Sequence, residues 1–432
     1  MGALTEKVLL RHTSHDDQTD LDAALERGAY QVLGKALKMQ PDALVEEVKK
    51  SGLRGRGGAG FPTGLKWTFM PKETSKPKYL VVNADESEPG TFKDRLLMER
   101  DPHLCLEGFL ISAFAMKASV IFIYIRGEFV HPWRMLDEAI TQARAKGYIG
   151  KNVLGSGWDV DVILHRGAGA YICGEETALM ESLEGKRGYP RLKPPFPASY
   201  GVYGNPTTIN NVETLAIVPF IVERGADWFL GIGKEKNAGP KLFCMSGHLK
   251  RPGVYEAELG IPLMTLINDQ CGGMLNPARK LKAVIPGGSS AAVMTAAECA
   301  DLPMDFDTLA AKGSMLGSAG VMVMDESVCM VRACERVLKF YAHESCGQCT
   351  PCRIGADWIY RIVSRVEHGG GTTADLDTLV SVCDGMVGKT ICVFADAAAL
   401  PAKSFVAKFR NEFLDHISMK GCPTKGIPAG AR

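Results

Sequence analysis

The first half of the chain alternates between apolar segments with helical and with strand periodicity. Residues 41–50 predict an amphipathic helix, and residues 104–116 predict a second, buried helix. Three short apolar segments predict strands, at residues 78–84, 119–125 and 158–165. Alternating helices and strands are typical of an α/β sheet domain.

The sequence pattern of the second half of the chain changes at two points. Residues 241–294 are rich in short strands and turns, including the run Pro286-Gly287-Gly288-Ser289-Ser290. From residue 327 onward, helical periodicity dominates. We therefore predict an α/β domain with an N-terminal helical extension, a small β-rich domain and a helical domain, at residues 1–240, 241–326 and 327–432.

Composition excludes several classes of function. The 432 residues include 50 basic and 49 acidic side chains, so no global charge indicates nucleic acid or an anionic membrane as a partner. Residues 1–22 are polar and partly acidic, which argues against a signal or transit peptide, and 13 cysteines then indicate a reducing compartment. The longest apolar stretch, residues 109–125, is interrupted by Lys117 and predicts a buried helix and strand, not direct membrane insertion.

Three closely spaced cysteines, Cys346, Cys349 and Cys352, are the strongest chemical signal. The C-x2-C-x2-C spacing gathers three thiolates around one small volume, as in [4Fe–4S] proteins, and Pro351 stiffens the turn. Zinc sites usually combine two separated ligand pairs, and a second pair is absent here, so the pattern favours iron–sulfur over zinc and over three buried thiols.

The fourth cluster ligand must come from elsewhere, and two downstream cysteines are candidates. Cys383 belongs to an apolar series at helical spacing, where cysteine is a small buried hydrophobe. Cys392 follows Gly388-Lys389-Thr390, a break after the predicted helix, and is therefore the predicted ligand. We interpret the other nine cysteines as reduced structural thiols: Cys105, Cys173, Cys244, Cys271, Cys299, Cys329, Cys334, Cys383 and Cys422.

A glycine-rich loop at residues 55–64 contains the pattern G-x-G-x-x-G. The dinucleotide fingerprint should follow a strand and open a helix, whereas this loop follows a helix, so an ordinary Rossmann site is disfavoured. Closely spaced glycines nevertheless let the backbone approach a phosphate or a flat ring, which favours a cofactor loop over a flexible turn. Three basic side chains add positive charge: Arg54, Arg56 and Lys66.

Two further polar segments follow. Residues 167–179 come directly after a strand and open a helix, which is where nucleotides usually bind. Glu175 and Glu176 would then either accept hydrogen bonds from ribose hydroxyls or simply stabilise the first turn of the helix. Residues 205–214 supply amides and hydroxyls suited to a flavin, its phosphate or helix capping.

Together these motifs resemble a known family. Residues 55–64, 83–90, 167–179, 207–215 and 344–355 are similar, in the same order, to the flavin-bearing, NADH-oxidising subunit of respiratory complex I, the 51 kDa subunit of mitochondria. The resemblance covers nearly the whole chain. It implies a Rossmann-like FMN-binding domain, a ubiquitin-like β-grasp domain and a C-terminal helical bundle with one [4Fe–4S] cluster.

The resemblance also implies binding residues. The FMN contacts would be Gly55, Gly57, Lys66, Asn83, Asp85, Tyr171, Gly174, Glu175, Asn210, Asn211 and Thr214. The NADH contacts would be Phe61, Phe69, Glu86, Glu88, Glu176, Lys193 and Phe196, with Glu88 and Glu176 positioning NADH. The rest of the loop would touch one or other ligand: Arg56, Gly58, Ala59, Gly60, Pro62, Thr63 and Gly64. The cluster ligands would be Cys346, Cys349, Cys352 and Cys392.

Because hydride passes directly between the two cofactors, no protein acid or base is expected. The implied partners are a thioredoxin-like [2Fe–2S] subunit of the 24 kDa type and a large multi-cluster subunit of the 75 kDa type. The complex would hold the chain on the inner face of the plasma membrane, or on the matrix side in a mitochondrion. Two alternatives stay open: a diaphorase subunit of a soluble NAD-linked hydrogenase or formate dehydrogenase, and a non-enzymatic zinc-bearing scaffold.

Overall fold

The computed structural model describes residue 4 and residues 6–423 in two compact units. The first unit comprises the chain up to Ser87 together with Phe92–Phe243 and Val254–Ile261. The second comprises Glu88–Thr91, Cys244–Gly253 and the chain from Pro262 onward. Parts of the predicted N-terminal extension and of the C-terminal tail, residues 1–3, 5 and 424–432, lie outside the described residues.

Helices and strands alternate in the first unit, as the periodicity predicts. Its α-helices are α1 (Leu21–Glu26), α2 (Gln31–Ala36), α3 (Pro41–Lys50), α4 (Thr63–Thr68), α5 (Lys93–Arg100), α6 (Pro102–Ala115), α7 (Val130–Ala145), α8 (Glu176–Leu183), α9 (Val212–Arg224) and α10 (Ala226–Leu230). Its strands are β1 (Tyr79–Ala84), β2 (Val120–Ile125), β3 (Asp161–Arg166), β4 (Thr207–Asn211) and the short pair β5 (Gly233–Lys234) and β6 (Asn237–Ala238).

The main sheet of this unit has four parallel strands in the order β3-β2-β1-β4. The chain builds outward from β1 through β2 to β3, and then returns to place β4 on the other side of β1. The strand order therefore reverses between β1 and β4, and in open α/β sheets ligands bind at the carboxyl ends of the strands at such a switch point.

Helix α6 is buried on nearly every side, which explains its lack of a polar face. It packs closely on α9, because a Cβ on Gly108 would lie 2.2 Å from the carbonyl oxygen of Leu215. The predicted sequence of a buried helix followed by strand β2 is confirmed. Among the described residues, no helix is long and apolar enough to cross a membrane.

Strand β4 does not follow from the sequence pattern. Its sequence, Thr-Thr-Ile-Asn-Asn, lacks the apolar run expected of a buried parallel strand and predicts only a polar segment before a helix. In the structure β4 pairs with β1 in parallel, from Tyr79 opposite Thr207 to Asn83 opposite Asn211. The polar side chains are thereby brought to the switch point.

The chain from residue 240 onward forms a second sheet and then a helical C-terminal region. The strands of the second sheet are β7 (Pro240–Gly247), β8 (Gly253–Glu258), β9 (Leu281–Ile285), β10 (Met294–Thr295) and β11 (Gly320–Asp325), in the order β10-β9-β11-β7-β8. The α-helices after β8 are α11 (Leu263–Thr265), α12 (Ala296–Cys299), α13 (Phe306–Ala311), α14 (Met330–Glu344), α15 (Thr350–Glu367), α16 (Thr373–Met386), α17 (Phe394–Lys408) and α18 (Arg410–Ser418). The predicted change from strands to helices is confirmed.

Candidate functional site

Asparagine side chains stand at the ends of β1 and β4. Asn83 donates from Nδ2 to the carbonyl oxygen of Gly174 at 2.8 Å, which ties the 3-10 turn Tyr171–Gly174 to the end of β1. Asn210 accepts from Trp67 Nε1 at 2.9 Å. The sheet edge, the turn before α8 and helix α4 are thus joined at the switch point.

The glycine-rich loop lies against the same edge. Its ends are closed by a hydrogen bond from the Gly55 N–H to the Phe61 carbonyl at 2.8 Å. The loop approaches β4 so closely that a Cβ on Gly57 would lie 2.9 Å from Cβ of Asn211. The Arg56 N–H donates to Thr214 Oγ1 at 2.8 Å, which fixes the loop to the start of α9.

Arg56 points inward, contrary to its predicted role as a positive charge on the loop. Its side chain is fully buried and donates from Nη2 to the carbonyl oxygen of Ala238 at 2.8 Å. Burial lowers the pKa of its guanidinium to about 10, despite the opposing effect of Glu213. Arg56 therefore adds no positive charge to the outer face of the loop. Gly64 is also inward, since a Cβ there would lie 2.3 Å from Cα of Lys49.

Two lysines converge on Glu176. Lys66 Nζ lies 2.9 Å from Oε2 of Glu176 and Lys193 Nζ lies 2.7 Å from Oε1. Lys66 also donates to the carbonyl oxygen of Ile209 in β4 at 2.8 Å. Burial alone would raise the pKa of Glu176, but the two lysines outweigh it and lower the pKa to about 2. Glu176 is therefore ionised at neutral pH, and its carboxylate and the two lysines are half-buried.

Glu175 has a different role from its neighbour. It is the N-cap of α8, and its Oε2 accepts hydrogen bonds from the Thr177 and Ala178 N–H groups at 2.8 and 2.9 Å. Helix stabilisation, one of the two predicted explanations for the acidic pair, accounts for Glu175. It does not account for Glu176, whose carboxylate faces Lys66 and Lys193.

Two other predicted NADH contacts, Glu86 and Glu88, accept hydrogen bonds from backbone N–H groups of the protein itself. Glu86 is buried, and its oxygens accept from the N–H groups of Asp94 and Arg95, both at 2.9 Å, at the start of α5. Burial, with Asp94 nearby, raises its pKa to about 7. Glu88 belongs to the second unit, where its Oε1 accepts from the Ser290 N–H at 2.8 Å.

Three predicted aromatic contacts are exposed, which is unusual for large apolar side chains. Phe61, Phe69 and Phe196 are 45%, 55% and 58% exposed, respectively. The ring centroids of Phe61 and Phe69 lie 6.2 Å apart with the planes tilted by 50°. Exposed rings in this arrangement offer faces and edges to a planar ligand.

A buried charge network lies beneath the site, and the sequence does not predict it. Lys93 Nζ lies 2.9 Å from carboxylate oxygens of both Asp94 and Glu213, and Lys241 Nζ lies 2.6 Å from Glu213. Asp94 also accepts from Asn211 Nδ2 at 2.7 Å. The network therefore orients Asn211. Its sequence signal is weak, because charged residues at the starts of α5 and α9 are also expected for exposed helix ends.

The cysteine triplet surrounds the start of α15. Cys349 is the N-cap of α15, Cys352 lies in its first turn, and Cys346 precedes it in the loop after α14. Cys352 is buried, which raises the pKa of its thiol, and its Sγ lies 3.3 Å from Ser345 Oγ. The predicted position of the triplet at a helix start is confirmed.

The loop containing Cys392 reaches the triplet. The N–H of the preceding residue, Ile391, donates to Cys349 Sγ at 3.4 Å. Cys383, by contrast, lies on the buried face of α16, with no exposed surface, and burial raises its pKa to about 12. The structure thus brings the Cys392 loop to the triplet and confirms the predicted burial of Cys383.

Three family models match successive parts of the chain. The model described as "Nuo51 FMN-binding domain" matches residues 48–220, the SLBB domain matches residues 241–323, and the "NADH-ubiquinone oxidoreductase-F iron-sulfur binding region" matches residues 332–416. This chain therefore belongs to a class of proteins that combine a flavin-binding domain, a small β domain and an iron–sulfur domain in one chain.

Individual relatives narrow this class to one family. The F-type subunit 2 of the NADH-quinone oxidoreductase of Rhizobium meliloti (strain 1021) is 55% identical over 97% of this chain and 99% of its own length. The corresponding F-type subunit of Rickettsia bellii (strain OSU 85-389) is 52% identical over 93% of this chain and 97% of its own. The chain belongs to the family of NADH-quinone oxidoreductase F-type subunits.

Among solved structures, an NAD⁺-reducing [NiFe]-hydrogenase in its H2-reduced state contains a similar chain. The TM-score is 0.82 at 36% identity, covering 95% of this chain and 68% of that one. The same kind of hydrogenase in the air-oxidised state gives a TM-score of 0.81 at 35% identity, covering 98% of this chain and 68% of the other. The fold is therefore shared with an NAD-linked hydrogenase.

Proposed function

We propose that this chain oxidises NADH as the flavin-bearing subunit of an NADH:quinone oxidoreductase. Bound FMN supplies an acceptor for the hydride of NADH, and a [4Fe–4S] cluster supplies one-electron transfer onward. The observation that supports this best is the meeting of the glycine-rich loop with Asn211 and the bridging of Glu176 by two lysines, both beside the β1/β4 switch point.

The loop fits a flavin mononucleotide. Residues 56–59 form a turn, and the glycines at positions 57, 58 and 60 leave its backbone N–H groups uncovered by side chains. A Cβ on Gly58 would meet nothing within 4 Å, so open space adjoins these donors. Backbone donors without side chains in the way suit a phosphate or a ring edge. We assign FMN contacts to this loop and to Lys66, Asn83, Asp85, Tyr171, Gly174, Glu175, Asn210, Asn211 and Thr214.

For NADH, we propose that the exposed aromatic rings hold the adenine, and that Glu176 orients the nucleotide with Lys193. A carboxylate held ionised by Lys66 and Lys193 is a fixed acceptor for ribose hydroxyls, and it would repel the additional phosphate of NADPH. The protein contributes orientation, which requires the reacting atoms to be about 3–3.5 Å apart. The contacts are Phe61, Phe69, Glu176, Lys193 and Phe196.

We propose Cys346, Cys349, Cys352 and Cys392 as the cluster ligands. Cys349 Sγ already accepts a backbone hydrogen bond from Ile391, and such bonds stabilise thiolate and tune the cluster potential. We also propose three domains at residues 1–240, 241–326 and 327–432. The partners would be the [2Fe–2S] thioredoxin-like and large multi-cluster subunits, which hold the chain peripherally at the inner face of the membrane.

The variant Gly57→Ala is expected to lose bound FMN. The added Cβ would lie 2.9 Å from Asn211 Cβ, closer than real Cβ contacts, so the loop must move away from β4. The flavin content per chain, measured by absorbance after acid release, is expected to fall at least about tenfold, which corresponds to about 1.4 kcal/mol of lost binding. Gly34→Ala, in α2, where the added Cβ meets nothing within 4 Å and φ is not positive, is the control for general effects of glycine replacement. Full FMN content in Gly57→Ala would contradict the loop assignment.

The variant Glu176→Gln is expected to retain FMN but to bind NADH about tenfold more weakly, since a hydrogen bond to a charged group contributes about 1.5–3 kcal/mol. The measurement is the NADH concentration at which the rate of reduction of an artificial electron acceptor is half-maximal. Glu181→Gln, on the same helix but paired with Arg191, is the control and should leave this concentration unchanged. An unchanged value for Glu176→Gln would leave only a structural role for the carboxylate.

Acid stability provides a second measurement on Glu176→Gln. Because the folded-state pKa of about 2 lies below the ordinary 4.5, the ionised carboxylate stabilises the fold above about pH 4.5, and this stabilisation disappears as the pH falls toward 2. Wild type should therefore lose more unfolding free energy than the variant over this interval.

The hydrogenase similarity favours one alternative, a diaphorase subunit of a soluble NAD-linked enzyme. Purification of the tagged chain with its native partners distinguishes this alternative from the proposed complex I subunit. Copurification of the [2Fe–2S] and multi-cluster subunits of complex I is expected. Recovery of a hydrogenase or formate-oxidising subunit in their place would establish the alternative.

A further inference from the structure

Four potential metal ligands from separate segments meet within the second unit. They are Cys329, the N-cap of α14; Glu367, the last residue of α15; His416 in α18; and Cys422, four residues after α18. All four are more than nine-tenths buried. One ligand atom from each residue lies within 4.8 Å of the other three. None of these residues belongs to the predicted cluster ligands.

Four of the six distances between these atoms lie close to the edges of a tetrahedral zinc site, and the other two are below 4.8 Å. Zn–S bonds of about 2.3 Å and Zn–N or Zn–O bonds of about 2.0–2.1 Å place two sulfurs about 3.8 Å apart, sulfur and nitrogen or oxygen about 3.5 Å apart, and nitrogen and oxygen about 3.3 Å apart. Cys329 Sγ lies 3.7 Å from Cys422 Sγ, 3.3 Å from His416 Nε2 and 3.8 Å from Glu367 Oε2. His416 Nε2 lies 3.2 Å from Glu367 Oε2.

The surrounding hydrogen bonds orient the ligand atoms. His416 Nδ1 lies 2.7 Å from the carbonyl oxygen of Glu412, which can only accept, so Nδ1 carries the proton and Nε2 has its lone pair available. Arg332 Nε donates to Oε1 of Glu367 at 3.0 Å and leaves Oε2 on the side of the sulfurs. The Arg332 N–H lies 3.4 Å from Cys329 Sγ and donates to it.

An ion pair between His416 and Glu367 is the simplest metal-free explanation. It requires neither cysteine, yet Cys329 Sγ lies 3.3 Å from His416 Nε2 and 3.7 Å from Cys422 Sγ, and Cys422 comes from the segment after α18. The Sγ–Sγ separation of 3.7 Å is also far beyond a disulfide bond of about 2.05 Å. A metal ion accounts for all four residues together.

We propose that Cys329, Glu367, His416 and Cys422 bind one Zn²⁺ ion. On binding, the two thiols lose their protons to solvent and the imidazole binds through its neutral Nε2. Four protein ligands leave no open position, so the site is structural rather than catalytic. It joins the segment after α18 to the start of α14 and the end of α15, and it revises the interpretation of Cys329 and Cys422 as simple structural thiols.

The test is the metal content of the full-length chain purified with its flavin and cluster, measured by mass spectrometry of zinc and iron. Wild type is expected to contain about one zinc and about four irons per chain. Cys422→Ser should lose zinc and retain iron, whereas Cys352→Ser should lose iron and retain zinc. Cys383→Ser, which replaces a buried thiol outside both sites, should retain both metals.

Three results would overturn the proposal: no zinc in wild type, zinc retained in Cys422→Ser, or a Cys329–Cys422 disulfide in peptides from the native protein. Loss of zinc from Cys352→Ser would instead place the zinc at the triplet and count against the iron–sulfur assignment. X-ray absorption at the zinc edge keeps the test independent of variant folding. Wild type should show two sulfurs at about 2.3 Å and two lighter ligands at about 2.0 Å, and a shell of four sulfurs would contradict the site.

Discussion

A chain with Cys392→Ser is expected to lose the optical and electron paramagnetic resonance spectra of its [4Fe–4S] cluster. Serine removes the thiolate that we propose as the fourth ligand, and the loop that contains Cys392 is held beside the triplet by the bond from Ile391 to Cys349. NADH should still bleach the flavin, because all the proposed NADH and FMN contacts lie in the first unit. Electron delivery to quinone in the assembled complex should fall by more than about a hundredfold, since the one-electron relay is missing.

Cys383→Ser is the matched control for this experiment. Cys383 is a cysteine of the same region, but it lies on the buried face of α16, so its replacement should cost some stability and leave the cluster spectrum intact. If Cys383→Ser abolished the cluster and Cys392→Ser did not, the choice of fourth ligand would be wrong.

Lys93→Met is expected to reduce the free energy of unfolding by about 3–5 kcal/mol, the usual cost of removing one partner from a buried ion pair. Burial by itself would lower the pKa of Lys93, but the carboxylates of Asp94, Glu213 and Glu86 raise it, so the residue is charged in the folded protein. Methionine fills a similar volume and leaves Asp94 and part of the charge of Glu213 without compensation.

The control for Lys93→Met is Lys72→Met, which breaks an exposed pair with Asp42 and should have little effect. Denaturant unfolding monitored by tryptophan fluorescence measures both variants. We also expect Lys93→Met to bind FMN more weakly, because Asp94 orients Asn211. A loss of stability below about 1 kcal/mol would mean that the network is solvated or rearranges easily.

Much of the fold follows from periodicity. Helix α3, strand β1, helix α6 and strand β2 lie within two residues of their predicted bounds at each end, because their apolar residues repeat at the helical or strand interval. Strand β4 has no such signal, because its burial comes from pairing beside β1 and not from an apolar sequence. Local pattern cannot reveal a strand whose polar side chains serve the site.

The candidate site also combines features that a local sequence pattern predicts with features that it does not predict. The cysteine triplet and the glycine-rich loop are contiguous motifs, so spacing alone identifies them. The buried position of Arg56 depends on the carbonyl of Ala238, 182 residues away, and the ion network joins α5, α9 and β7. Long-range contacts of this kind have no signature in local spacing.

The quartet formed by Cys329, Glu367, His416 and Cys422 depends entirely on such long-range contacts. Its members come from segments spread over 93 positions, and only His416 and Cys422 lie close together in the sequence. Only the packing of α14, α15 and α18 brings them together.

The decisive experiment on NADH oxidation is an anaerobic titration with NADH of the protein coexpressed with its thioredoxin-like [2Fe–2S] partner. Flavin absorbance and electron paramagnetic resonance are recorded at each addition. We expect bleaching of FMN together with the appearance of a reduced [4Fe–4S] signal that is absent from Cys392→Ser. A protein that contains flavin and iron but shows no change with NADH, or a colourless protein with zinc in place of iron, would contradict the proposed electron path.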